Sequence, residues 1–177
     1  MKLRQLFESQ SQFLQTREEI EEWLQKMKIK NCTIRDDLMV DVDGNVDLNY
    51  KNLSFIPVQF WQVSGYFDCG HNRLTSLSGA PREVGESCYC NNNQLKSLKG
   101  APREVGRGFF CYNNQLESLV GAPKKVNLDF DCRCNQLTSL KGAPREVGGD
   151  FNCQNNPLLR SLDGIGNVAG QIISDLS

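Results

Sequence analysis

From Phe67 onward the apolar positions of the chain return at a constant interval. Phe67, Cys69, Leu74, Leu77 and Val84 recur 21 residues later as Cys88, Cys90, Leu95, Leu98 and Val105, and then as Phe109, Cys111, Leu116, Leu119 and Val126. A further copy reads Phe130, Cys132, Leu137, Leu140 and Val147. The polar positions between them repeat as well, so that NQLKSLKGAPREVG from Asn93 reappears with few changes from Asn72, Asn114 and Asn135. A fixed period of this length predicts a solenoid, in which one copy is one coil and buries its apolar side only against its neighbours.

Within a coil each position has a physical reading. The Phe-x-Cys segment places both residues on one face, the period-two pattern of a short strand packed on one side. Asn72, Asn93, Asn114, Asn135 and Asn156 follow at the bend where the chain leaves the strand. A carboxamide there can bond the backbone of adjacent coils, and losing such a buried partner costs roughly 1 to 3 kcal/mol. The two leucines point inward along the descending side. Gly-Ala-Pro then predicts an extended, polyproline-like return without internal hydrogen bonds. Val84 and its copies re-enter the core before Gly85 or Gly148 turns the chain into the next strand.

The ends depart from the period. Leu3, Leu6, Phe7, Phe13 and Leu14 approximate one helical face, and Thr16 with Glu19 forms a capping-box signature ahead of Ile20, Trp23, Leu24 and Met27, so two short amphipathic helices are expected over residues 1–30. LMVDVDGNVDLNY, from Leu38 to Tyr50, alternates on both sides of Asp43-Gly44 and predicts an antiparallel hairpin turning there. Leu53, Ile56 and Val63 fall on the phases of Leu74, Leu77 and Val84, which makes the segment before Tyr66 a degenerate coil. At the other end Pro157-Leu158-Leu159-Arg160 adds a residue ahead of Leu162, and Ile172 takes the place of Phe151 in a last strand. Atypical terminal coils are expected where one face lacks a neighbour.

Composition narrows the functional classes. A formal net charge of −1 over 177 residues gives no basic footprint for nucleic acid or an anionic membrane. No apolar run approaches the roughly 20 residues of a spanning helix, and MKLRQLFESQSQ has polar residues where a signal peptide needs its apolar segment. A cytoplasmic location is therefore expected. Five of the eight cysteines occupy one phase of the repeat, which argues for packing in a reducing compartment over a disulfide framework.

The phrase F-x-C-x-x-N-x-L-x-S-L-x-G-A-P-x-x-V-G resembles a leucine-rich repeat in which Phe67 and Cys69 stand for the inward residues before Asn72 and Leu74. Its short LTSL-x-x-x-P form is similar to the repeats of effectors secreted by enteric pathogens. The G-A-P-x-x-V-G-G-x-F-x-C version, with its lead-in DGNVDLNYKNLSFIPVQF, is closer to leucine-rich repeat proteins of tailed phages. The resemblance covers residues 38–177 and implies an α/β repeat solenoid: a parallel concave sheet, a polyproline-like convex side and a helical N-terminal cap. The enteric effectors join their repeats to a separate catalytic domain or an unstructured tail, so no ligase activity is carried over; the phage likeness implies an accessory protein acting on a host protein, in the host cytoplasm, as an inhibitor.

In the strands, the residues between the inward pairs are expected on the concave surface: Tyr66, Asp68, Tyr89, Asn91, Phe110, Tyr112, Asp131, Arg133, Asn152 and Gln154. Tyr89, Phe110 and Tyr112 lie on adjacent coils about 4.8 Å apart and form an aromatic patch flanked by polar groups. Such a patch suits a protein interface, against the plainer reading that cross-strand aromatics only stabilise a sheet. A second reading puts recognition on Phe13, Trp23 or Leu24 of the helical segment. A third gives the cysteines a metal-dependent role, since Cys69, Cys88, Cys90 and Cys111 could surround zinc; a buried free cysteine more often acts as a small apolar residue, and no cofactor is expected.

The remaining chemistry is thin. Cys134 stands at the Asn or His position after the strand and is the expected reactive thiol; Cys32 has no assigned role. His71, the sole histidine, lacks a nucleophile or paired carboxylate in recurring geometry and reads as a solvated turn residue. Arg82-Glu83, Arg103-Glu104, Lys124-Lys125 and Arg145-Glu146 make mutually screened rows that keep the return side soluble. The sequence thus divides into a helical cap (1–31), a hairpin with a degenerate first coil (32–65) and the repeat solenoid (66–177). It predicts a non-enzymatic protein-binding module, with an exposed end strand able to pair with a second copy.

Overall fold

The 21-residue period becomes two parallel ladders running the length of the molecule. In the computed structural model, which describes residues 12–176, helix α1 (Arg17–Lys26) is followed by β1 (Cys32–Ile34), β2 (Met39–Val42), β3 (Val46–Asp47), β4 (Gln59–Val63) and β5 (Phe67–Asp68). The repeats then alternate strands of two kinds. The Val strands are β6 (Glu83–Val84), β8 (Glu104–Val105), β10 (Lys125–Val126), β12 (Glu146–Val147) and β14 (Asn167–Val168). The Phe/Cys strands are β7 (Cys88–Tyr89), β9 (Phe109–Phe110), β11 (Phe130–Asp131), β13 (Phe151–Asn152) and β15 (Ile172–Ile173).

Every Val strand joins one sheet, in the order β1-β2-β4-β6-β8-β10-β12-β14, and every Phe/Cys strand the other, from β3 to β15. The fold is a parallel-strand β-solenoid of about 6 turns with one short helix in the described chain. Among the described residues the only helix is in the N-terminal cap, and the coils contain none. One expectation changes. The return after Pro is a second hydrogen-bonded sheet: the Arg103 N–H donates to the Arg82 carbonyl at 2.8 Å, and the same ladder continues from Arg145 to Lys124. Proline removes one donor, and the two residues after it are free to pair with the coil below.

The Asp43-Gly44 corner does not close a hairpin. β2 pairs in parallel with β4 and β3 in parallel with β5, so the corner carries the chain from one sheet to the other, as Ser64-Gly65 does one coil later and Gly85 two coils later. The antiparallel hairpin lies earlier, between β1 and β2, with Thr33 opposite Asp41. The alternation around Asp43-Gly44 was that of two one-sided strands, which a hairpin and a solenoid corner share.

The core is a set of stacked single-residue ladders. Val42, Val63, Val84, Val105, Val126 and Val147 form one, and Leu74, Leu95, Leu116 and Leu137 another, all buried. The rings of Phe109, Phe130 and Phe151 stack at 5.6 and 5.2 Å. The asparagine row ties the coils together: Asn93 Oδ1 accepts the Leu74 N–H at 2.9 Å, and its Nδ2 donates to the Cys69 and Cys90 carbonyls. The residue before each asparagine is left-handed, with φ of 50 to 56° at His71, Asn92, Asn113, Cys134 and Asn155. That explains the preference there for Asn, which tolerates this conformation better than most residues.

At the N-terminal end α1 starts on the expected capping box, Thr16 accepting the Glu19 N–H and Glu19 the Thr16 N–H. Ile20 and Leu24 are buried, and Trp23 packs against Phe60 with ring centroids 6.4 Å apart. Leu3, Leu6 and Phe7 of the other expected helix lie outside the described residues. Phe13 and Leu14 are described and not helical; the Leu14 N–H donates to the Pro57 carbonyl at 2.8 Å. Among the described residues no helix is long and apolar enough to cross a membrane.

A candidate partner-binding face

The outer surface of the seven-stranded sheet is built from residues that alternate with the buried Phe and Cys. Its first row runs Asp47, Asp68, Tyr89, Phe110, Asp131 and Asn152, held in register by parallel pairing of each strand with the next. Its second row, two residues on in each coil, runs Asn49, Gly70, Asn91, Tyr112, Arg133 and Gln154. All ten residues expected on this surface lie in or beside these rows, Tyr66 at the corner leading into β5.

They are not equally available. Asn91 and Asp131 are buried, at 4% and 8% exposure, while Tyr66, Asp68, Tyr89, Phe110, Tyr112, Arg133, Asn152 and Gln154 are half-buried. Asn91 sinks because its neighbour in the row is Gly70: the place a Cβ would take on Gly70 is 3.2 Å from Asn91 Oδ1. Asp131 sinks under Arg133, whose Nε lies 3.4 Å from Asp131 Oδ2.

The polar members of the first row serve the backbone. Asp47, Asp68, Asp131 and Asn152 each accept, through Oδ1, the N–H two residues ahead, at 2.8 to 3.1 Å. This turn settles the exit of the strand. Tyr89 and Phe110 cannot accept that bond, so two adjacent coils exchange a structural group for an exposed ring edge. The rings stack nearly parallel, with centroids 4.9 Å apart at 8°. Phe110 lies flat over Gly108, where a Cβ would come within 2.6 Å of its ring. Other coils carry Tyr66, Ser87 or Asp129 at that phase, so the missing side chain makes room for the ring.

Arg133 completes the patch by placing its guanidinium 4.9 Å from the centre of the Tyr112 ring. Burial raises the carboxyls of Asp68 and Asp131 above their ordinary value; for Asp131 the Arg133 N–H and charge pull the other way. Burial also raises the Tyr112 hydroxyl, which Arg133 partly offsets.

Two features were not anticipated. Tyr50, 70% exposed, stacks on His71 at 4.2 Å. A shift of 21 residues relates the two, and reading the repeat back through the degenerate coil would have found it. His71 Nε2 also meets Asn92 Nδ2 at 3.3 Å, and Asn92 Oδ1 accepts from Asn113 Nδ2 at 3.0 Å, so the solvated turn residue heads a side-chain ladder. On the eight-stranded sheet, Trp61 is flanked by Arg35 and Arg82, their guanidinium carbons 4.7 and 4.5 Å from its ring centre.

The cysteines sit where the repeat put them. Cys69, Cys88, Cys90, Cys111, Cys132 and Cys153 are free and buried, and burial pushes their thiols up, that of Cys153 to about 11. Among the described residues no group of three or more His, Cys, Asp or Glu side chains is arranged to hold a metal. Cys134 and Cys32 are half-buried. The charged rows face outward on the eight-stranded sheet, where Lys125 and Glu146 pair at 3.3 Å with both side chains well exposed. No known protein family, curated protein or solved structure matches the chain.

Proposed function

We propose that the chain is a non-enzymatic protein-binding module of the leucine-rich-repeat type, whose recognition surface is the outer face of the seven-stranded sheet. The observation that carries this is the exchange at Tyr89 and Phe110. Both give up the side-chain bond that Asp68, Asp131 and Asn152 make to the backbone, and present stacked rings beside the Tyr112–Arg133 pair. Aromatic and arginine side chains on one shallow surface are the composition of interface hot spots. The partner in this reading is a host protein met in the host cytoplasm, and its capture is inhibitory, as the phage likeness implies.

In the competing site on the helical segment Phe13 is half-buried, and the other two residues are engaged within the fold. Leu24 is in the core and Trp23 is packed on Phe60, which commits both to closing the first coil. Replacing Tyr89, Phe110 and Tyr112 together by Ala is expected to abolish partner capture from host lysate and leave the unfolding transition cooperative. Capture at wild-type level by that variant would refute the reading.

A further inference from the structure

The geometry points to a basic polypeptide segment as the occupant of this face, one arginine or lysine of which seats between the Asp47–Asp68 carboxylates and the Tyr89–Phe110 stack. The inference rests on the reading of the face as a protein-binding surface, and adds the chemistry of the partner.

The chain's own Arg133 shows how the surface receives a cation. Its guanidinium lies over the Tyr112 ring and its Nε against Asp131, so ring and carboxylate share one charge. Three coils earlier the same two rows repeat the carboxylate without the cation. Asp68 occupies the phase of Asp131, and Gly70, which has no side chain, occupies the phase of Arg133. Asp47 lies beside Asp68 in register on one side and Tyr89 on the other. Among the described residues neither Asp47 nor Asp68 makes an ion pair, whereas Asp131 does.

The charge balance agrees. In the two outward rows of coils 47 to 154 the carboxylates are Asp47, Asp68 and Asp131 and the only cation is Arg133, which Asp131 neutralises. Burial first, and then Asp47, make the charge on Asp68 costlier, against the Gly70 N–H and nearby His71, and an incoming cation offsets that cost. The opposite sheet differs: Arg82, Arg103, Lys124 and Arg145 stand there beside Glu83, Glu104, Lys125 and Glu146, so the two signs screen one another. A basic segment is thereby attracted to the seven-stranded sheet more than to the other.

The test uses the full chain and a fluorescent oligo-arginine peptide at low salt, with an oligo-glutamate peptide as control. Binding of the arginine peptide, followed by anisotropy, is expected to weaken about tenfold or more in Asp47→Asn/Asp68→Asn and in Tyr89→Ala/Phe110→Ala. It should be unchanged in Glu83→Gln/Glu104→Gln on the opposite sheet. The Asn variants are expected to fold, because Asn152 already makes the same backbone bond in its own coil. No binding of the arginine peptide, equal binding by the Asp→Asn variant, or an equal loss in the Glu→Gln variant overturns the inference. Capture of a host protein separates it from the broader reading. Loss in the aromatic variant with retention in the Asp→Asn variant leaves a protein-binding face whose partner is not basic, and retention in both removes the face as a recognition site.

Discussion

Asn114 and Leu95 are 19 residues apart and are joined by a single bond, the Leu95 N–H donating to Asn114 Oδ1 at 3.0 Å. The same carboxamide gives its Nδ2 hydrogens to the carbonyls of Cys90 and Cys111, so one side chain serves the backbone of two coils. Asn114 is 8% exposed, which leaves water little access to replace it. Asn114→Leu keeps the branched outline and orphans these groups, at roughly 1 to 3 kcal/mol each. Urea unfolding should show this loss, against a change within about 0.5 kcal/mol for exposed Gln136→Ala.

Tyr89→Asp tests whether the ring belongs to the fold or to recognition. Asp at this phase can accept the N–H two residues on, as Asp68 does from Gly70, for about 1 kcal/mol. The variant loses the stack on Phe110, worth about 0.5 to 1.5 kcal/mol. The two nearly cancel and the new charge in register with Asp68 adds a small like-charge cost, so stability is expected to fall by no more than about 1 kcal/mol while partner capture falls. A collapse of stability would instead make the ring structural.

Asp68→Asn should raise stability at neutral pH. Burial first, and then Asp47, hold the folded carboxyl above its ordinary 3.8, against the lowering effects of the Gly70 N–H and of nearby His71. The folded state therefore keeps the proton more tightly than the unfolded chain. The stabilising contribution is full below the unfolded value and is lost as pH rises through the raised folded value. Asn cannot ionise and keeps the Gly70 bond, so the advantage of the variant in melting temperature should grow from acid to neutral pH. A constant difference across that range would refute the assignment. The same substitution is expected to weaken binding of a basic segment, which places stability and recognition in opposition at one residue.

The ladders were legible because a solenoid repeats each physical demand once per coil. Asn72 and its copies, the Leu pair and the Val row all fell where the phase put them. The errors arose where one pattern serves two structures. Asp43-Gly44 between alternating strands suits a hairpin and a sheet-to-sheet corner alike, and only parallel pairing with β4 and β5 separates them. The pairing of Glu83–Val84 was hidden behind Pro81, whose extended geometry is common to polyproline and edge-to-edge strands. On the candidate face, sequence assigned the rows; the burial of Asn91 over Gly70 and the bond that Asp131 makes to Arg133 depend on neighbours in the next coil, which no single repeat records.

Thiol reactivity should sort by burial. Cys69, Cys90, Cys111 and Cys132 are buried, with thiols raised by loss of solvation, so an aromatic disulfide reagent should leave them unmodified while the chain is folded. Cys134 and Cys32 are half-buried and should account for labelling of the folded chain, Cys134 first because burial raises the Cys32 thiol, so that Cys134→Ser removes the fast phase. The raised ladder thiols also mean that unfolded chains lose protons first above an ordinary value of 9.0, so stability should fall as pH rises past that point. Fast labelling of every cysteine at neutral pH would contradict the packing.

The irregular last coil offers a sharp test of register. Asn135 is followed two residues later by buried Leu137, but Asn156 is followed by Pro157 and Leu158, and Leu158 is 50% exposed. The inward position passes to Leu159, at 3% exposure, so the extra residue is looped out at Pro157-Leu158. The chain recovers one residue after Gly164, where Asn167-Val168 follow directly on Gly166, and Val168 pairs with Val147 in normal register. Leu159→Ala is therefore expected to cost about 2 to 5 kcal/mol and Leu158→Ala within about 0.5 kcal/mol. The unshifted period predicts the reverse, since it puts Leu158 on the phase of Leu137. Calorimetric unfolding of the two single variants decides between them, and equal destabilisation would mean that both leucines share the inward site.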